Sequence, residues 1–186
     1  MSSKYLFIFY FIFCMSSPAV GATIGGVTVP DQITVQGTKL TLNGMAMRTF
    51  TFFDVYAASL YLVSSAHSSQ AILDSDTPRV MSMHFLREVP VKKITDAWQE
   101  GLQANTPAAD ASLKDRFAQL GTYMESMNKG ESLECSYMPG TGTTVKVKGA
   151  VKGTIPGKDF NDALLACWIG PKPGPGEKFK AGLLGQ

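Results

Sequence analysis

The 186-residue sequence has little charge, little histidine and little cysteine, and each shortage excludes a class of protein. Charged residues make up 17% of the chain and the formal net charge is +2, so no basic excess exists to neutralise a row of nucleic-acid phosphates. Two His and three Cys residues, without a Cys-x-x-Cys pair, form no zinc or haem motif and no disulfide scaffold. We therefore expect no nucleic-acid partner, no metal and no cofactor.

Long hydrophobic runs are also missing, except at the N-terminus. Residues 5–15 form an almost purely apolar run of about eleven residues behind Lys4, whereas a helix that spans a bilayer needs about 20. Small residues follow around Ala22, a pattern typical of a secretory signal peptide. We predict a signal peptide over residues 1–22, cleaved near Ala22, and one domain over residues 23–186. The mature protein would then be periplasmic or secreted, without a membrane span. A retained anchor is the alternative, and the shortness of the run disfavours it.

Two cysteines, Cys135 and Cys167, remain in the predicted mature chain. A periplasmic or extracellular compartment permits a disulfide between them. Cysteine is also among the most buried residue types, so two buried free thiols are the alternative. Both interpretations remain open at this point.

Hydrophobic periodicity predicts strands first, then helices, then strands and a final helix. In residues 79–86, for example, Met81, Met83 and Phe85 share one face, as in a half-buried strand. Ile94 and Trp98 begin a four-residue spacing that indicates a helix. This order is typical of an α+β fold, with one long, mostly antiparallel sheet and a layer of helices on one face. The predicted strands cover residues 33–35, 39–42, 48–63, 79–86, 133–137 and 143–147, with turns at 36–37 and 43–44, and the predicted helices cover 68–73, 91–102, 113–120 and 160–169.

Catalytic signatures are missing as well: the chain has no Gly-x-Ser-x-Gly elbow, and its two His residues belong to no triad motif.

One residue stands out, because Arg48 lies inside a long apolar, strand-like stretch. In a regular strand, Arg48 and Tyr56 would share a face. A buried guanidinium needs a partner, which could be a carbonyl or a distant acid of the protein itself. The second interpretation is a bound anion, held by the fork of Arg48 and the hydroxyl of Tyr56.

Several sequence blocks in order resemble the chalcone isomerase-like family, in its secreted bacterial branch. Residues 42–49 read Leu-Asn-Gly-x-x-x-Arg-Thr, and residues 52–62 read Phe-Phe-x-Val-Tyr-x-Ala-x-Leu-Tyr-Leu. Residues 84–87 and 153–160 resemble two further blocks of that branch. The resemblance covers nearly the whole predicted mature chain. It implies an open-faced β-sandwich, with a ligand cleft between a long antiparallel sheet and the helices.

The family contains plant chalcone isomerases and relatives that bind fatty acids, and the resemblance bears differently on the two. Arg48 matches the cleft arginine of both groups, and Tyr56 matches the tyrosine with which the fatty-acid binders hold a carboxylate. Pro90 and Ala97 stand where the enzymes carry a catalytic Tyr and a nearby Asn. Asp162 stands near a polar Thr or Ser of the enzymes, where an acid would disfavour a phenolate substrate. The resemblance therefore implies that most of the enzyme's polar contacts are lost.

These observations favour a non-catalytic binder of a small apolar ligand with an anionic head, such as a fatty acid. Arg48 and Tyr56 would hold the head, and Tyr61 is a further candidate hydroxyl. One alternative is an isomerase (an intramolecular lyase) that acts on a chalcone or another enone. The other is an envelope scaffold that binds a protein partner. The predicted cleft-lining residues are Phe52, Met81, Met83, Phe85 and Trp98.

Overall fold

The structure, a computed structural model, describes residues 21–186 and contains one large sheet preceded by a small hairpin. Residues 1–20, most of the predicted signal peptide, lie outside the described residues. Gly21 and Ala22 belong to the first strand, so the predicted boundary at Ala22 falls within that strand. The small hairpin consists of β1 (Gly21–Ile24) and β2 (Val27–Pro30), and the sheet consists of β3 (Gln32–Val35), β4 (Thr38–Phe50), β5 (Phe53–Leu62), β6 (Arg79–Phe85), β7 (Ser132–Met138), β8 (Gly142–Val147) and β9 (Ala150–Ile155).

The sheet is an antiparallel meander, in which every strand pairs with its neighbours in sequence. Tight turns join some of the neighbouring strands, whereas β5–β6 and β6–β7 are joined by connections that contain helices. Gln36–Gly37 joins β3 to β4, and Lys148–Gly149 joins β8 to β9, with positive φ at both residues of each turn. Two-residue turns with this geometry match the twist of antiparallel strands, and glycine adopts the second position without strain.

Five helices cover one face of the sheet. Their starts follow local sequence signals: the helix that begins at Val91 directly follows Pro90, and at the start of the helix that begins at Ala111 the Asp110 carboxylate accepts a hydrogen bond of 2.8 Å from the Leu113 amide. The fourth helix is buried on nearly all sides because it contacts the sheet and the other four helices. The helices are α1 (Ser69–Asp74), α2 (Val91–Asn105), α3 (Ala111–Thr122), α4 (Lys158–Ile169) and α5 (Glu177–Leu183).

The main core lies between the sheet and the helices. Alternation along each strand sends Met81, Met83 and Phe85 of β6 into this core, together with buried residues of all five helices. A smaller apolar cluster lies on the opposite face, around Leu40, Tyr61 and Val80. The predicted α+β class, with an antiparallel sheet and helices on one face, is confirmed.

Cys135 and Cys167, for which the sequence left a disulfide and two free thiols open, are both buried free thiols in the structure, on β7 and α4 respectively. Burial in the apolar core raises the pKa of each thiol to about 12. The two cysteines therefore act as small core residues.

Candidate functional site

Arg48 and Tyr56 lie directly opposite each other on β4 and β5. Because opposed residues of an antiparallel pair point to the same face, both side chains lie on the helix-covered side of the sheet. The chain reverses at a hairpin turn between them, so they belong to two neighbouring strands and not to one long strand. A β-bulge follows Arg48, and it bends the strand at this point.

The Arg48 guanidinium is half-buried and has a neutral partner. Its Nη1 donates a hydrogen bond of 3.1 Å to the carbonyl oxygen of Pro175, in the loop before α5. None of the ion pairs within residues 21–186 involves Arg48. A guanidinium carries five N–H donors, so most of its donor capacity and all of its charge remain without an acidic partner in the described chain.

Tyr56 is held by aromatic neighbours and by one hydrogen bond. Its ring centroid lies 5.6 Å from that of Phe85 and 5.9 Å from that of Phe179. Its hydroxyl oxygen accepts a hydrogen bond of 3.2 Å from the indole Nε1 of Trp168 on α4. Desolvation raises the pKa of Tyr56 to about 12, although the Trp168 bond and the charge of Arg48 act in the opposite direction. The hydroxyl therefore keeps its proton at neutral pH, and that proton has no acceptor within residues 21–186.

This pair is a donor-rich site. The Tyr56 hydroxyl and several Arg48 N–H groups can donate, whereas the one acceptor in contact with them is the Pro175 carbonyl. A group that matches such a site has two or more acceptor oxygens and a negative charge, as a carboxylate does. The arrangement is suited to holding an anionic head group.

The C-terminal segment, residues 171–186, covers this site. The Phe179 ring lies against Tyr56, and the Asn43 side chain of β4 donates a hydrogen bond of 2.9 Å to the Leu183 carbonyl. His67 Nδ1 and the Leu184 carbonyl are 2.6 Å apart. Behind the cover, the interface between sheet and helices is densely packed. It contains a cavity of about 10 Å³, which is room for about one water molecule.

Trp168, Pro175 and Phe179 complete the site, and the sequence interpretation missed all three. Periodicity correctly placed Trp168 on a helix. The strand residue that it contacts depends on how that helix crosses the sheet, which periodicity does not show.

Two of the predicted site residues lie elsewhere. Phe52 is at the tip of the β4–β5 hairpin with 90% of its surface exposed, so its assignment to the cleft lining was wrong. Tyr61 lies on the opposite face of the sheet, because it is an odd number of residues from Tyr56 on the same strand. Its hydroxyl donates to the Pro30 carbonyl over 2.9 Å, and it does not contribute to the Arg48 site.

The other predicted lining residues lie on the core side of the sheet at different distances from the site. Phe85 contacts Tyr56 directly, and Met81 lines the small cavity next to Trp168. Met83 and Trp98 are buried in the core between sheet and helices.

A second arginine, Arg79 on β6, is far more buried than Arg48, with 2% of its surface exposed. It donates to the Asn161 side chain, to the Ile72 carbonyl and to the Asp162 carboxylate. Asp162 also accepts from Lys158 over 2.6 Å. Asp162, which the resemblance places where an acid would disfavour a phenolate substrate, is thus paired with Arg79 and Lys158 in the structure. The sequence alone could have indicated that Arg79 points into the core, because it lies two residues from Met81 on the same strand and therefore shares its face.

Two comparisons with known proteins agree with this architecture. The model of a family described as chalcone isomerase-like matches residues 21–185. The chain belongs to the chalcone isomerase-like family. Among solved structures, it is similar to a fatty-acid binding protein of Arabidopsis thaliana, with a TM-score of 0.65, 16% sequence identity, and coverage of 86% of this chain and 92% of that chain. At this identity the likeness shows the fold. None of the curated proteins compared with the chain matches its sequence.

Two further features concern the described part of this family member. No helix within residues 21–186 is both long enough and apolar enough to cross a membrane. In the same residues, no group of three His, Cys, Asp or Glu side chains is arranged to hold a metal ion.

Proposed function

We propose that the protein binds a fatty acid or a similar small apolar carboxylate, with the carboxylate held between Arg48 and Tyr56. The observation that carries the proposal is the surplus of donors at this pair: a guanidinium without an acidic partner and a neutral hydroxyl whose proton has no acceptor within residues 21–186. The Arabidopsis structural neighbour is a fatty-acid binding protein, which supports the same ligand class.

A ligand carboxylate would take the place of the Pro175 carbonyl on Arg48. The exchange replaces a neutral acceptor with a charged one, and hydrogen bonds to charged groups contribute about 1.5–3 kcal/mol each. The apolar tail would lie on the core side of the sheet, where each buried methylene contributes about 0.8 kcal/mol. Because the present cavity is about 10 Å³, the tail has to displace packed side chains, and the C-terminal segment that carries Phe179 is the nearest cover.

The experiment is a calorimetric titration with decanoate and with decanol, which have the same tail and different heads. We expect Arg48→Ala to weaken decanoate binding by about 10- to 150-fold, which corresponds to one charge-assisted contact. Decanol binding should hardly change. Arg116→Ala is the matched control, because Arg116 pairs with Asp159 at the start of α4 and not with the site. Equal losses for the acid and the alcohol would mean that Arg48 is structural, and no binding of decanoate to the wild type would refute the proposal.

Tyr56→Phe tests the second half of the head-group site. It keeps the ring contacts with Phe85 and Phe179 and removes only the hydroxyl. We expect decanoate affinity to fall by about 10- to 150-fold, because a hydrogen bond from the hydroxyl to a carboxylate has a charged acceptor. Tyr61→Phe removes a hydroxyl on the opposite face and should leave decanoate affinity unchanged.

A second candidate function, an interaction protein whose cleft is filled by its own side chains, is favoured by one observation. The space between sheet and helices is packed, and Phe179 occupies the place next to Tyr56. The decanoate titration separates the two functions. An isomerase remains the third candidate, and its test is the absorbance of a hydroxychalcone mixed with the protein. Turnover that disappears in Arg48→Ala would rank it first.

The proposed location is the periplasm or the extracellular space, and the pattern of residues 1–22 supports it. The test is N-terminal sequencing of protein recovered from the envelope fraction of an expressing bacterium. A new N-terminus near Ala22 would support export. Intact protein that remains in the cytoplasm would contradict it.

A further inference from the structure

The tip of the β4–β5 hairpin, residues 50–53, exposes three phenylalanines. Phe50 is 65% exposed, Phe52 is 90% exposed and Phe53 is 55% exposed. Large exposed apolar residues are unremarkable when scattered, but a cluster on one turn marks an interaction site. These three make up most of the exposed large hydrophobic residues of the described chain, and the other two, Val63 and Val151, lie outside the hairpin tip.

The backbone of the hairpin tip is also strained. Phe50 pairs with Phe53, so Thr51 and Phe52 form a two-residue turn, and Thr51 has a φ of 57°. This conformation is strained for a β-branched residue. The comparable turns at Gln36–Gly37 and Lys148–Gly149 contain glycine, whereas this one contains none. Exposed aromatic surface and backbone strain therefore occur at the same four residues.

Charged groups frame the hairpin tip. The Arg87 guanidinium, itself exposed, lies 4.3 Å from the centre of the Phe53 ring. Asp54 is the acid next to the tip, and its carboxylate accepts a hydrogen bond of 2.9 Å from the Thr49 hydroxyl. The guanidinium lies over the ring as in a cation–π contact, so a positive charge lies directly beside the exposed aromatic surface of the hairpin tip.

We infer that the hairpin tip inserts into the interfacial layer of a phospholipid bilayer. A specific protein interface buries about 800 Å² on each partner, which calls for a broad surface, whereas this cluster is confined to four residues of a protruding turn. A bilayer accepts such a small convex wedge, because its interface takes up apolar rings while Arg87 remains level with the phosphates. The contact would be reversible, since a single small anchor gives only weak membrane binding.

The inference goes beyond the proposed ligand site and does not depend on it. The two features are nevertheless close, because Arg48 is two residues from Phe50 on β4 and Tyr56 is three residues from Phe53 on β5. Insertion of the hairpin tip would bring the Arg48–Tyr56 site to the depth at which a bilayer holds the head groups of fatty acids.

The test places an indole on the hairpin tip of the full chain and measures its depth. Phe52→Trp is mixed with vesicles of phosphatidylcholine, with and without phosphatidylglycerol, whose acyl chains carry bromine. The fluorescence of the parent protein is subtracted, since Trp98 and Trp168 are buried. We expect the emission from position 52 to shift to the blue and to be quenched by the brominated chains. Val151→Trp is the matched control, because Val151 is 63% exposed on β9, and its indole should not be quenched.

Each outcome decides the proposal. Insertion of the tip is supported if the indole is quenched at position 52 but not at position 151. Replacing Phe50 and Phe53 by Ala should then weaken the quenching at position 52. This readout is local, so any membrane attachment through residues 1–20 does not mimic it. Equal quenching at both positions, or none at position 52, overturns the proposal. A blue shift at position 52 that depends on protein concentration without vesicles also overturns it, since the tip would then contact protein.

Discussion

Gly44 of β4 and Gly182 of α5 approach each other so closely that neither position has room for a Cβ atom. A Cβ at Gly44 would overlap the Gly182 carbonyl and lie 2.6 Å from the Leu183 carbonyl oxygen, and a Cβ at Gly182 would lie 2.6 Å from the Met45 carbonyl oxygen. This contact of backbone with backbone presses α5 onto the strand that carries Arg48. It therefore positions the segment that covers the candidate ligand site.

Gly44→Ala should lower the free energy of unfolding by about 1–3 kcal/mol, because the added methyl group has to push α5 away from β4. The measurement is equilibrium unfolding in urea. Gly121→Ala is the control, because a Cβ there meets only the Thr95 methyl group at 3.7 Å. On helix propensity this substitution should leave stability unchanged or raise it. Equal stability of Gly44→Ala and the wild type would show that α5 does not pack tightly on β4.

Much of the fold follows from local pattern, and the exceptions have physical causes. The alternation in β6 correctly placed Met81 and Met83 on the core face. Asn43–Gly44 reads locally as a turn, yet it lies within β4 at a bulge, because Gly44 makes room for α5 and Asn43 binds the Leu183 carbonyl. Tertiary contacts more than a hundred residues away in sequence decide this conformation, and no local pattern contains them.

The candidate site likewise has features that the sequence predicts and features that only the three-dimensional structure shows. Arg48 and Tyr56 were identified from an arginine in an apolar stretch and from a family resemblance, and the register of the two strands shows how the pair is opposed. The turn between them was missed because Thr51–Phe52 lacks the Gly or Asn that normally marks a hairpin. Phe52 was consequently assigned to a strand face, although it is at the exposed tip.

The Arg79–Asp162 pair, whose arginine is 2% exposed, should matter far more for stability than the Arg116–Asp159 pair, whose aspartate is 61% exposed, although both join an arginine to an aspartate of α4. We expect Arg79→Met to lower the free energy of unfolding by about 3–5 kcal/mol, because Asp162 and Asn161 lose a buried partner. Arg116→Met should cost about 0–1 kcal/mol, since Asp159 is open to solvent. The two variants are compared by urea unfolding under one set of conditions. Similar losses would contradict the assignment of Arg79 as the core cation.

The two core thiols predict how stability depends on high pH. Burial raises the pKa of Cys135 and of Cys167 to about 12, whereas an unfolded thiol ionises near 8.5. Between these values the native state binds more protons than the unfolded state, so the free energy of unfolding falls as pH rises. Each thiol contributes a slope of at most about 1.4 kcal/mol per pH unit.

The check is urea unfolding between neutral pH and about pH 10, roughly the middle of the window between an unfolded pKa of about 8.5 and a native pKa of about 12. The wild type is compared with a variant in which both cysteines are replaced by Ala, and the variant should lose stability less steeply. In a Cys14→Ser background, a thiol reagent should label Cys135 and Cys167 only after unfolding. Rapid labelling of the native protein at neutral pH would contradict their burial.

The strained turn at Thr51 gives the last prediction. Thr51→Gly should raise the free energy of unfolding by about 1 kcal/mol, because glycine adopts a φ of 57° without the clash of a β-branched side chain. Thr41→Gly, an exposed position within β4 where no positive φ occurs, should instead lower stability, because glycine weakens a strand interior. Thermal unfolding of the two variants beside the wild type measures both changes. A loss at position 51 as large as that at position 41 would mean that Thr51 is not strained, and the turn would then give no reason of its own to regard the hairpin tip as a functional element.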